Sequence, residues 1–143
     1  MNKESLRITW GVLFVGLKNN WLTSKEVVKH VNNHLLKLAP DEGLVVDLNV
    51  NDGDKNAIIE LLRAKGEVEE AQAIKDWQYY QLVRIEQSDQ TIDKKLKDIE
   101  LQWSRFGYPE SWRAFIYYQP NEKTNSNEGL YQIFLDFLKS IRN

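Results

Sequence analysis

Residues 67–106 run for forty positions without a glycine or a proline. Such a stretch favours helix, yet one helix of that length would extend about 60 Å at roughly 1.5 Å per residue, too long for a compact domain of this size. The segment "EQSDQT" supplies a break: Ser88 can cap a new helix and Asp89 suits its positive end. One helix is therefore expected through about Ile85 and a second from Asp89 to Phe106. Ile92, Leu96, Ile99, Trp103 and Phe106 form the inward stripe of the second. Gly107 ends it, Pro109 stands where proline starts the next helix, and Pro120 stops that one after Tyr118.

The rest of the chain reads the same way. Trp10, Leu13, Phe14 and Leu17 recur at helical spacing behind Thr9 as cap, and Asn19 and Asn20 stop that helix. In "WLTSKEVVKHVNNHLLKL", Thr23 and Glu26 have the spacing of a capping box. The apolar stripe there is Val28, Val31, Leu35 and Leu38, and Pro40 ends the helix by excluding its predecessor from helical geometry. Asp54 caps a short helix that buries Ile58, Leu61 and Leu62 and stops at Gly66. A last amphipathic helix carries Leu130, Ile133, Phe134, Phe137, Leu138 and Ile141, with Asn125 and Glu128 spaced for a second capping box; the loop before it, Asn121–Gly129, is polar.

"PDEGLVVDLNVNDGDKN" is the exception. Leu44, Val45, Val46, Leu48 and Val50 suit a short strand or an extended loop packed on the core, but a lone strand has no pairing partner, so the region near 40–54 is expected as an irregular loop or a short helix. The expected fold is all-α: one compact single domain spanning 1–143, a bundle of about six or seven helices. A chain of 143 residues can bury a core without staples, and five Trp, six Tyr and five Phe furnish one.

There is no cysteine, which removes disulfides, thiolate catalysis and the usual structural zinc sites, and suits a reducing compartment. The apolar N-terminal stretch is interrupted by Gly11 and Gly16, runs into Lys18, Asn19 and Asn20, and lacks a small-residue cleavage site, so a cytoplasmic protein is expected. No apolar run approaches the ~18 residues of a membrane span. The formal net charge of −2 hides an asymmetry: residues 1–40 carry six lysines and arginines against two glutamates, and residues 41–76 carry four against ten acids. An acidic middle disfavours nucleic acid and suits a basic partner, against the alternative of an ordinary solvated face.

Few residues suggest chemistry. His30 and His34, the only histidines, lie one helical turn apart in "KHVNNHLLKL". A zincin helix needs a glutamate after the first histidine to activate water, and Val31 stands there. Both imidazoles fall at the edge of the apolar stripe, a normal place for a ring that buries its face and wets its rim, so no metal is expected. "DLNVNDGDKNAI" starts like a calcium loop at Asp47, Asn49 and Asn51. It fails at the sixth position, Asp52 for glycine, and at the twelfth, Ile58 for the bidentate glutamate. Phosphate-binding glycine patterns and nucleophile elbows are absent, and no cofactor is expected. Trp112, Phe115 and Ile116 share one side of "SWRAFIYY" and read as core.

"RFGYPESWRAFIYYQP", Arg105–Pro120, is similar to the closing motif of a bacterial family catalogued as domain of unknown function 2247. There an aromatic ends one helix, Tyr-Pro-Glu opens the next, and Phe-x-x-Tyr-x-Pro closes it. The matching residues are Phe106, Tyr108, Pro109, Glu110, Phe115, Tyr118 and Pro120. "ITWGVLFVGLKNNWLT" and "GLVVDLNVNDGDKNAIIELL" sit where that family has similar segments. The resemblance implies a helical immunity protein of the kind found beside polymorphic LXG-type secreted toxins: a non-enzymatic, cytoplasmic inhibitor that binds and neutralises a cognate toxin domain. It brings no catalytic residues. Asp41, Glu42, Asp47, Asp52 and Asp54 are the candidate contact residues, since an acidic surface is steered towards a basic cleft. Two alternatives stand beside it: a metal-dependent hydrolase using His30 and His34, and a helical adaptor that binds a partner near Tyr117 and Tyr118.

Overall fold

The computed structural model describes residues 6–66, 68–116 and 127–142. Among them are eight α-helices and one 3₁₀ helix, with no strand, so the protein is all-α. The residues group into two compact units, one of Leu6–Trp77 and one from Gln78 onward.

The first unit is organised by α1 (Trp10–Lys18), whose residues from Trp10 to Leu17 are all buried. A helix apolar on every side belongs inside, and its start is set by Thr9, whose hydroxyl accepts the Val12 N–H at 3.1 Å. Burying every face requires close neighbours, and the two glycines permit them. A Cβ on Gly11 would lie 3.1 Å from the Glu69 backbone nitrogen, and one on Gly16 only 2.6 Å from Trp77 Cζ2. Two buried tryptophans satisfy their indoles here: Trp77, packed on α1, donates from Nε1 to the Val12 carbonyl at 3.0 Å, and Trp10, at the start of α1, donates from Nε1 to the Leu38 carbonyl at 3.2 Å.

Around α1 stand α2 (Ser24–Asn33), α3 (Leu35–Leu38), α4 (Glu42–Val50) and α5 (Lys55–Lys65). The capping box at the start of α2 is present: Glu26 N–H donates to Thr23 Oγ1 at 3.1 Å and Thr23 N–H to Glu26 Oε1 at 2.8 Å. The helix expected from Thr23 to Pro40 is broken at His34, whose φ of −125° separates α2 from α3. The break turns Leu35 outward to 43% exposure, which corrects its place in the inward stripe; Val27, Val28, Val31 and Leu38 are the buried residues.

Residues 40–54, expected as an irregular loop or a short helix, contain α4. The carboxylate of Asp41 caps it, accepting the Leu44 N–H at 2.7 Å, and Glu42 adds a negative charge to its positive end. No strand lies among the described residues to pair with residues 44–50, and two local helix-start signals prevail over an alternating pattern. Reciprocal amide hydrogen bonds of 3.0 and 3.1 Å between Asn32 and Asn49 join α2 to α4. As expected, Asp54 caps α5 and Gly66, at φ 76°, ends it.

α6 (Glu70–Gln87) contributes residues to both units. The second unit continues with α7 (Ile92–Arg105), the 3₁₀ helix Glu110–Phe115 and α8 (Asn127–Arg142). The break before α7 falls inside "EQSDQT", but Thr91 rather than Ser88 is the cap, because its hydroxyl reaches the Lys94 N–H at 3.2 Å while the Ser88 hydroxyl donates back to the Ile85 carbonyl at 2.8 Å. Ile99, Trp103, Trp112, Phe115, Phe134 and Leu138 form the core of this unit. Phe115 meets Phe134 edge-on with centroids 5.5 Å apart, a favourable ring geometry. Asn125, the expected cap of the last helix, lies outside the described residues. No described helix is long and apolar enough to cross a membrane.

Candidate functional site

The five candidate acids are all exposed, and the structure divides them by what their side chains do. Asp41 and Asp54 hold helix N-termini; the Asp54 carboxylate accepts the Ala57 N–H at 3.1 Å. Glu42 in the first turn of α4, Asp47 midway along it and Asp52 in the following turn form no ion pair among the described residues. From Asp41 to Asp54 the chain has five carboxylates and no lysine or arginine, so α4 and its two ends carry anionic charge with no cation of their own.

That surface has an apolar component which alternation concealed. Two residues along a helix turn about 200°, so the Leu44–Val46–Leu48–Val50 series, one face of a strand, splits across two faces of a helix. Leu44 and Leu48 are buried, whereas Val46 is 54% and Val50 76% exposed, with Asp47 between them. Counting the segment at helical spacing would have revealed these outward valines from the sequence.

The helical state of 42–50 also explains why no calcium loop forms. Asn49 bonds to Asn32 and, through Nδ2, to the Val45 carbonyl at 2.8 Å, while Asn51 donates to the Asp47 carbonyl at 2.8 Å. These amides join α2 to α4 and bond to carbonyls of α4 itself. Among the described residues no three His, Asp or Glu side chains converge as a metal site.

His30 and His34 are half-buried, with ring centroids 6.0 Å apart. His34 Nδ1–H donates to the His30 carbonyl at 2.8 Å, so this imidazole caps the broken end of α2. Burial, followed by the nearby His34, lowers the His30 pKa below its ordinary 6.5; Glu26 opposes the shift and Lys29 adds to it. The fold thus prefers neutral His30. Its contribution is complete above pH 6.5 and is lost as pH falls through the depressed folded value. Urea titrations at a series of pH values are expected to show stability declining as pH falls from 6.5 towards the folded value, with a shallower decline in His30→Gln.

In the second unit, the aromatic motif forms a tight corner. Gly107 and Tyr108 both have positive φ, 78° and 60°, a costly conformation for tyrosine. Trp103 secures the corner: its carbonyl accepts the Tyr108 N–H at 2.8 Å and its indole donates to the Pro109 carbonyl at 2.9 Å. Trp112 and Phe115 are buried as expected. Tyr117 and Tyr118, the candidate adaptor contacts, lie outside the described residues.

No curated protein and no solved structure matches this chain. A family match does extend over residues 1–142, in agreement with the motif that ends α7 and opens the 3₁₀ helix, and the chain belongs to that family, described as an uncharacterised protein conserved in bacteria and designated DUF2247.

Proposed function

We propose that this protein is a non-enzymatic immunity-type inhibitor that binds a cognate toxin domain in the cytoplasm and neutralises it by covering its working cleft. The observation that carries this reading is the surface of α4 and its flanking turns. Five exposed carboxylates stand there without a compensating cation in the same segment, and three of them make no cap hydrogen bond. Toxin domains that attack nucleic acids need basic clefts, and an anionic surface both accelerates encounter with such a cleft and competes for it. The sequence resemblance to immunity proteins encoded beside secreted toxins points to the same class of partner.

The test is co-expression with the toxin domain encoded next to this gene. Growth arrest caused by the toxin alone is expected to be relieved by this chain, and the two purified proteins are expected to form a complex. Undiminished toxicity, with no complex at micromolar concentration, overturns the proposal.

A further inference from the structure

Resting on the protein-binding reading above, we infer that the outer face of α4 is itself a docking surface, with Val46 and Val50 as its apolar centre, and that its occupant is a basic amphipathic protein segment whose apolar stripe is flanked by lysine or arginine. Folding gains little from valines at these positions. β-Branched residues form helix less readily than alanine, lysine or glutamate, and at 54% and 76% exposure these two return little burial. They stand one turn apart with Asp47 on the flank, three residues from Val50, while Leu44 and Leu48 hold the opposite face in the core.

Charge selects the occupant. The acids lie within and at both ends of the face, at Glu42, Asp47 and Asp52, and residues 41–54 contain no cation. A second copy docking through the same face about a two-fold axis would oppose acid to acid. Anionic lipid and nucleic acid are repelled for the same reason. A basic protein segment satisfies both halves of the surface: its apolar stripe covers the valines and its cations meet the carboxylates.

The experiment is an NMR titration of the full chain with two synthetic helical peptides of matched length, one of leucine and lysine and one of leucine and glutamate. The lysine peptide is expected to shift amide resonances within 42–54, the glutamate peptide to shift none, and Val46→Ser/Val50→Ser to weaken the lysine peptide by about tenfold or more. Both substitutions are at exposed sites, and an unchanged amide spectrum elsewhere verifies that the variant is folded. Absence of shifts, shifts outside this segment, or binding unaffected by the serine pair overturns the inference. So does self-association of the free protein, measured by sedimentation, that the serine pair abolishes. A chain that neutralises its toxin but leaves 42–54 unperturbed by the peptide loses this surface and keeps the function proposed above; one that takes the peptide there and neutralises nothing loses the function and keeps the surface.

Discussion

Replacing Trp77 with alanine is expected to lower the unfolding free energy by about 3–5 kcal/mol, the cost of emptying a large aromatic site in a core. Trp77 is 3% exposed, its ring tilts against Trp21 with centroids 5.3 Å apart, and its indole N–H is held by the Val12 carbonyl. Trp77→Phe keeps much of the ring and gives up the hydrogen bond, so a smaller loss is expected, of which about 1 kcal/mol is the hydrogen bond itself. Gly16→Ala provides the sharper check. In the native background its Cβ would press 2.6 Å from Trp77 Cζ2, an overpacking that costs about 1–3 kcal/mol and outweighs the roughly 1 kcal/mol that alanine adds to a helix. With Trp77 already truncated, the same substitution has room, because the other close atoms, Leu22 Cδ1 at 2.8 Å and Cγ at 3.0 Å, belong to one flexible side chain that can shift into the vacated space. Gly16→Ala should then stabilise. Urea denaturation of the four proteins in this cycle measures the coupling, and a Trp77→Ala loss below about 1 kcal/mol, or Gly16→Ala acting alike in both backgrounds, refutes this account of the packing around α1.

How much of this fold is legible in the sequence depends on whether helix signals are local. Thr9, Thr23 and Asp54 cap through hydrogen bonds three residues away, and each start was readable because the partner lies within the same few residues. Two breaks were less transparent. Ser88 and Thr91 offer similar hydroxyls, and the choice between them follows from which backbone group each can reach. At His34 the periodicity continues through Leu35 and Leu38, and nothing in the residue types announces that the helix is interrupted; the Nδ1–H bond to the His30 carbonyl is a consequence of the backbone already having turned. The buried girdle of α1 was half legible: Leu13, Phe14 and Leu17 declare an apolar stripe, while the burial of the opposite face follows from the close approaches that Gly11 and Gly16 allow.

The candidate site shows the opposite relation between pattern and structure. Alternation of Leu44, Val46, Leu48 and Val50 is a strand signal, but a strand needs a hydrogen-bonding partner elsewhere in the chain and none exists among the described residues. Once the Asp41 cap prevails, half of the apolar residues must face outward. Charge could be counted from the sequence, whereas the division of the five acids into two caps and three groups that make no cap hydrogen bond requires the structure. Composition therefore located the segment, and geometry decides which of its residues to alter.

That division determines the second large effect, on binding. On the proposed function, reversing Glu42, Asp47 and Asp52 to lysine together is expected to slow association with a cognate toxin domain on the order of a hundredfold at low ionic strength, because the carboxylates would steer encounter and the lysines would repel a basic cleft. Asp41 and Asp54 are left intact, since removing either cap costs about 1 kcal/mol of stability and would confound the comparison. The triple variant should fold as well as the native chain apart from a few tenths of a kcal/mol lost where lysine replaces Glu42 at the positive end of α4. Salt separates steering from contact. Screening over about 10 Å at 0.1 M should slow the native protein markedly, whereas added salt should leave the variant unchanged or speed it. The neutral variant Glu42→Gln, Asp47→Asn and Asp52→Asn should lie between the two. Stopped-flow association rates across an ionic-strength series measure all three proteins. Equal rates and parallel salt slopes for native and reversed chains would mean that the acidic surface of α4 is only solvated and that the toxin is met elsewhere. A loss confined to dissociation would assign these carboxylates to contact rather than to steering.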